Sequence, residues 1–258
     1  MRVGDRRLAY ESYGSGRPLV LVHAFPFDGR MWRRTAEGLG GRCRVLVPDL
    51  RGFGGSDLGG SEPSIVDMAD DVAALLDHLG IERAVVGGLS MGGYVALAFA
   101  ARHRARLERL ILADTRAAGD TDKARAGRAD ALALVEKEGG AALVERQLAV
   151  LLSGTAGESL RQEVRDLGRQ SALGVCAALR ALRDRPDRQA ELGAIVCPTL
   201  VISGGEDRLS PPEEMAALAR ALPNAHLVAI PGAGHLSNLE RPDEFVAAIA
   251  DFLASEQP

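Results

Sequence analysis

Gly88-Leu89-Ser90-Met91-Gly92 is a stretch of this chain whose residue types and spacing could do chemistry. A serine hydroxyl is a weak nucleophile until a base takes its proton and its backbone presents the oxygen to a substrate. The apolar run Ala84-Val85-Val86 before it reads as a strand, and the residues from Tyr94 to Arg102 after it read as a buried helix. Ser90 therefore falls on the turn between them, the setting of an exposed nucleophile. A side chain at either glycine would collide where the helix folds back on its strand. In a chain with 30 glycines the spacing can also arise with Ser90 as a plain helix cap. The strand before it and the helix after it favour the chemical reading.

Such a serine needs a base, and the base needs an acid to fix its tautomer. Of the five histidines, His78 and His103 read as helical and His226 as strand-borne. His23 and His235 remain on loops. His23 is placed to orient the segment His23-Ala24-Phe25-Pro26-Phe27, whereas His235 lies in the glycine-flanked Gly232-Ala233-Gly234-His235 and is the candidate base. Two carboxylates stand at loop starts, Asp207 after Gly204-Gly205-Glu206 and Asp114 after a strand; Asp207 gives the chain order serine, aspartate, histidine. The backbone N–H groups of Phe25 and Met91 are the expected donors to an oxyanion. Phe27, Trp32 and Leu236, beside these loops, are expected to line the substrate pocket.

These residues need a scaffold that holds loops at one edge of a sheet. A length of 258 residues with 47% hydrophobic and 26% charged residues suits one large α/β domain. The net charge of −4 shows no basic excess, which argues against nucleic acid. Neither a signal-like start nor a membrane-length apolar run is visible, so no membrane partner and a cytoplasmic location are expected. Cys43, Cys176 and Cys197 are isolated in apolar contexts and suggest neither disulfides nor metal; no metal or other cofactor is expected.

In chain order, Arg7–Tyr13 and Pro18–Val22 read as a hairpin, Met31–Leu39 as a helix and Cys43–Val47 as a strand. The loop Asp49-Leu50-Arg51-Gly52-Phe53-Gly54-Gly55-Ser56 lacks the ending of a phosphate-binding loop and reads as a structural turn. Ile65–Leu79 is amphipathic, with Asp67, Asp70, Asp71 and Asp77 expected outward. Further strands are expected at Leu107–Ala113, Pro198–Ser203 and Ala225–Ile230, and helices at Glu213–Leu222 and Pro242–Leu253. Strands alternating with helices predict a mostly parallel sheet flanked by helices. From 115 to 190 the strand pattern gives way to three helical stripes, predicting a helical cap inserted after the sixth strand, with 1–114 and 191–258 as the core domain. No Phe, Trp or Tyr occurs from Ala100 to Glu244, so the cap is expected to line its side of the pocket with Leu, Val, Ala and the stems of Arg and to tolerate a range of acyl lengths.

With these motifs in place, the chain resembles the α/β-hydrolase family from Arg7 to Leu253. The resemblance is to the small bacterial capped members: carboxylesterases, 3-oxoadipate enol-lactonases, pimeloyl-carrier-protein methyl esterases and cofactor-free haloperoxidases. It implies an α/β-hydrolase fold, Ser90 as nucleophile, Asp207 as acid, His235 as base, and Phe25 and Met91 as oxyanion donors. The implied activity is hydrolysis of a small-molecule carboxylic ester through an acyl-enzyme, by a monomer or homodimer. Lactone hydrolysis of the enol-lactonase type is the alternative, although the expected cap lacks the tryptophan those enzymes usually bring. A non-catalytic ligand receptor on the same fold is the alternative from another class.

Overall fold

Four parallel strands at the centre of the chain's main sheet alternate residues between two apolar layers, because both faces of such a sheet are covered. Leu19 and Leu21 pack on one side and Val20 and Val22 on the other, and Ile111 and Leu112 divide in the same way. The computed structural model describes residues 1–4, 6–60 and 62–255. Its strands are β1 (Arg2–Val3), β2 (Arg6–Arg7), β3 (Tyr10–Tyr13), β4 (Pro18–Val22), β5 (Arg44–Pro48), β6 (Ala84–Leu89), β7 (Leu107–Ala113), β8 (Thr199–Gly204) and β9 (Ala225–Ile230). The helices are α1 (Arg33–Leu39), α2 (Ile65–His78), α3 (Met91–Arg102), α4 (Asp122–Glu138), α5 (Gly140–Leu151), α6 (Glu158–Leu167), α7 (Ala172–Arg183), α8 (Pro212–Ala221), α9 (Ser237–Glu240) and α10 (Pro242–Ala254).

The seven-stranded sheet runs β3-β5-β4-β6-β7-β8-β9, with only β3 antiparallel. This is the expected α/β-hydrolase architecture. One pairing differs from the sequence reading: β3 does not form a hairpin with β4 but pairs with β5, one place further out. From β4 the chain goes to β5 on one side and then to β6 on the other, so the carboxyl ends of β4 and β6 open a crevice between them, where α/β sheets bind ligands. The loop of Phe25 follows β4 and the turn of Ser90 follows β6.

Phe27, Trp32, Phe245 and Ile249 belong to the apolar layer on one face of the sheet, and α2 and α3 contribute to the layer on the other. Asp71 of α2 is not solvated as its helix pattern suggested. It is 3% exposed and takes Arg51 at 2.7 Å and Arg6 at 3.0 Å, a buried charge held by two guanidiniums. The helices α4 to α7 lie between β7 and β8. They follow the fifth strand of the main sheet in chain order, one place earlier than the strand count expected. Gln170, between α6 and α7, ties this insertion down by donating to Asp28 Oδ2 at 2.7 Å and accepting from the Gly54 N–H at 3.0 Å. Among the described residues no helix is long and apolar enough to cross a membrane.

Helix α2, which backs the helix of Ser90, starts in a capping box: Ser64 Oγ accepts from the Asp67 N–H and Asp67 accepts from the Ser64 N–H. Ser64→Ala should therefore lower unfolding free energy by about 1 kcal/mol in urea titration, while an unchanged midpoint would show the cap to be idle.

Candidate active site

Ser90 sits between β6 and α3 with φ +55 and ψ −113, outside the regions an L-residue ordinarily occupies. The neighbouring glycines make this possible by close approach. A Cβ on Gly88 would stand 2.3 Å from the Gly92 carbonyl carbon, and one on Gly92 only 2.0 Å from the Val22 oxygen. The serine is then held from behind. Its N–H donates to Ala113 O at 3.0 Å, and its carbonyl accepts from Thr115 Oγ1 at 2.7 Å. Strain of this kind persists where the surroundings over-determine it, as they do here.

His23 organises the loop after β4. It is fully buried, its Nδ1 faces Ala24 O at 3.0 Å, and its Nε2 accepts from the Leu50 N–H at 2.9 Å. Burial holds its pKa below the ordinary imidazole value, which suits a neutral ring with one donor and one acceptor. Asp49 does the same for the glycine-rich loop, accepting from the N–H groups of Gly29 and Gly55, each at 2.8 Å. Among the described residues, the N–H groups of Phe25 and Met91 have no hydrogen-bond acceptor, Met91 because it opens a helix.

His235 Nδ1 lies 2.8 Å from Asp207 Oδ2, both residues buried. The other oxygen of Asp207 accepts from the N–H groups of Leu209 and Ser210, at 2.7 and 3.0 Å, so the carboxylate is fixed from both sides. The rival carboxylate, Asp114, makes other bonds. Its Oδ1 accepts from the Gly204 N–H at 2.6 Å and its Oδ2 from Ser237 Oγ. Its carbonyl takes Ser210 Oγ at 3.2 Å. Burial first, and the nearby Asp207 carboxylate further, push the Asp114 carboxyl up to about 7, against the opposing pull of His235 and its own hydrogen bonds.

Ser90, Met91, Phe25 and His235 line one cavity of about 330 Å³. A wider cleft of about 600 Å³ elsewhere holds none of them. Three expected pocket residues are not in this lining. Phe27 and Leu236 are fully buried and Trp32 nearly so, packed in the apolar layer that includes Phe245. Trp32 meets the Phe245 ring at 5.7 Å, and the Leu236 N–H bonds Leu151 O. Their loops pass the site, but the side chains point into the core, which needs aromatic volume more than the pocket does. The aromatic that sequence reasoning missed is Tyr94, four residues after Ser90 on α3, a spacing that returns to the same helix face. The expected aliphatic residues Ala131, Leu151 and Leu182 and the arginines Arg116, Arg128 and Arg185 are in the lining, joined by Asp120 and Gln147. Among the described residues no cluster of three or more His, Cys, Asp or Glu is placed to hold a metal ion.

Comparison with known proteins gives a consistent picture. The family model described as alpha/beta hydrolase fold matches residues 17–242. A thermophilic esterase from Thermogutta terrifontis, solved with malate bound, is 43% identical, with a TM-score of 0.93 over 95% of this chain and 92% of that one. The enol-lactonase from Burkholderia xenovorans is 31% identical, with a TM-score of 0.91 over 98% of each chain. The pimeloyl-[acyl-carrier protein] methyl ester esterase of Aeromonas hydrophila is 31% identical over 95% of this chain and 99% of its own.

The raised Asp114 carboxyl has a consequence for stability. Between the ordinary aspartate value and about 7, the folded chain keeps a proton that the unfolded chain has lost, so stability falls as pH rises through that window. Asparagine carries no such charge and can still meet Gly204 and Ser237. Asp114→Asn should thus raise Tm more at pH 8 than at pH 5, by roughly 1–3 kcal/mol of added stability at the higher pH. An equal change in Tm at both pH values would contradict a protonated Asp114.

Proposed function

The chain belongs to the α/β-hydrolase fold family, and on that premise we propose that it hydrolyses small carboxylic esters through an acyl-enzyme on Ser90. The observation that carries the reading is one cavity lined by the strained Ser90, by His235, whose ring Asp207 holds from behind, and by Phe25 and Met91, whose backbone N–H groups have no acceptor among the described residues. Ser90 Oγ attacks the ester carbonyl carbon while His235 takes the hydroxyl proton. The N–H groups of Phe25 and Met91 receive the negative charge that forms on the carbonyl oxygen. As the tetrahedral species collapses, the carbon–oxygen bond to the alcohol breaks and His235 returns the proton to the leaving oxygen. Water then repeats the sequence on the acyl-enzyme, releasing the acid and restoring Ser90. Asp207 holds the tautomer in which Nε2 of His235 is free to take and return that proton.

The segment 115–190 serves as a cap on a core formed by 1–114 and 191–258. Its support is the lining it contributes, from Arg116 to Arg185, to the cavity that Phe25 and Met91 share. A second reading, hydrolysis of a lactone, is favoured by the similarity to an enol-lactonase along nearly the full length of both chains. It uses the same groups, since a lactone is an internal ester. A non-catalytic receptor would have no reason to keep Ser90 in a backbone conformation that costs free energy.

Two measurements test the assignments. Ser90→Ala should fold normally and lose at least about 10³-fold in kcat on p-nitrophenyl esters, because the covalent step is gone while the oxyanion donors remain. Turnover within about tenfold of the wild type would remove Ser90 as nucleophile. Asp207→Asn should cost about 10³ to 10⁴ in kcat by favouring the wrong histidine tautomer, and Asp114→Asn far less. The reverse ranking would give the acid role to Asp114.

A further inference from the structure

We infer that the Ser90 cavity opens to solvent through a gap between α4 and α5 that Gly127 keeps clear, and that the alcohol part of the substrate occupies this gap. The preferred substrates are then esters that join a short acyl group to an extended alkyl alcohol. The inference rests on the ester-hydrolase reading and adds a specificity-determining residue to it.

Gly127 lies inside α4, where glycine is less stable than alanine. The other glycines within α-helices have a steric cause. A Cβ would come within 3.2 Å of a neighbouring atom at Gly38, Gly92, Gly93, Gly140 and Gly174. At Gly127 it would meet nothing within 4 Å. The backbone there is ordinary α-helix, so neither packing nor a left-handed φ calls for glycine. A side chain would enter open space, and that space belongs to the cavity mouth. Of the residues lining the Ser90 cavity, Gly127 alone is exposed. It also lines an outer cavity of about 240 Å³, with Asp130, Ala131, Leu143, Arg146 and Gln147. Gly127, Ala131 and Gln147 are common to both, so the two spaces meet at this glycine. Elsewhere the inner cavity is walled: Tyr94 and Arg185, stacked at 4.2 Å, are both buried.

Chemistry decides which part of an ester points outward. The leaving oxygen must reach His235, which returns the proton to it. The His235 loop rests on the end of α5: the Leu236 N–H donates to Leu151 O, and a Cβ on Gly234 would stand 2.7 Å from the Leu152 carbonyl carbon. From there Leu151, Gln147 and Leu143 follow at four-residue spacing along one face of α5. Leu151 lines the inner cavity, Gln147 both and Leu143 the outer one. An alcohol part that starts at His235 is thus led along α5 to the gap, where Leu143 and Ala131 offer it apolar surface. The acyl part is left with the walled end at Tyr94, where length is limited.

Octyl acetate and ethyl octanoate test this, because they are isomers that carry the long chain on opposite sides of the ester. With acid release followed by titration, the wild type should favour octyl acetate by about tenfold or more in kcat/KM. Gly127→Leu, which fills the gap, should lower the ratio of octyl acetate to ethyl acetate by at least about tenfold, whatever it does to both rates together. Gly127→Ala should raise Tm by about 2–4 °C, and a lower Tm would give the glycine a packing role and overturn the inference. Equal rates on the isomers, a preference for ethyl octanoate, or an octyl-to-ethyl ratio unmoved in Gly127→Leu would also overturn it. Calorimetry with octan-1-ol separates the gap from catalysis. The wild type should bind this alcohol at least about tenfold more tightly than Gly127→Leu does, and equal binding would again overturn the gap. If no ester were turned over, the hydrolase reading would fail and the calorimetric comparison would still decide the gap.

Discussion

Three consecutive residues at the end of β7, Ala113, Asp114 and Thr115, anchor the segments that carry Ser90, Asp207 and His235. Ala113 O and Thr115 Oγ1 grip the backbone of Ser90 from its two sides. Asp114 takes the Gly204 N–H and Ser210 Oγ of the loop that carries Asp207, and Ser237 Oγ of the segment that carries His235. The three groups that must cooperate come from places far apart in sequence, and this tripeptide gives them a common anchor. The anchor includes a buried carboxyl with a raised pKa, and a protonated acid can be bonded without stranding a charge beside Asp207.

The same economy governs the approach of helix to strand. Strain at Ser90 is tolerable only because α3 comes so close to β4 and β6 that nothing larger than hydrogen fits at Gly88 and Gly92. Met91, the first residue of α3, keeps its N–H without an acceptor among the described residues. On the far side, Glu240 joins the His235 loop to the four-helix insertion, accepting from the Gly234 N–H at 2.7 Å and the Ser153 N–H at 3.0 Å. Motion of the insertion would therefore be felt at His235.

The fold is legible in the sequence because buried parallel strands announce themselves as short apolar runs between glycine- and proline-marked loops, as in Pro18–Val22 and Leu107–Ala113. The Ser90 turn is legible because its glycines have a steric cause, and Asp207 and His235 because chain order and glycine-flanked loops narrow the choice. Other features depend on contacts between distant residues, which periodicity does not encode. Helical spacing put Asp71 on an outer face, but Arg6 and Arg51 fold over it. Loop membership put Phe27, Trp32 and Leu236 near the chemistry, yet a loop side chain can turn to either side, and the core claimed these three. The Asp120–Arg185 pair spans 65 residues, so no local pattern could reveal how the arginines of the cavity lining are paired.

The central claim is that Ser90 is an activated nucleophile whose activation passes through His235 to Asp207. Its most direct test is the rate of covalent labelling by a fluorophosphonate, followed by intact-mass and peptide mapping of the native wild type and of Asp207→Asn. The account predicts one adduct per chain, on Ser90, formed at least about 10²-fold more slowly in Asp207→Asn and absent after unfolding. No adduct on Ser90 in the folded wild type, or equal labelling rates in the two proteins, would contradict it.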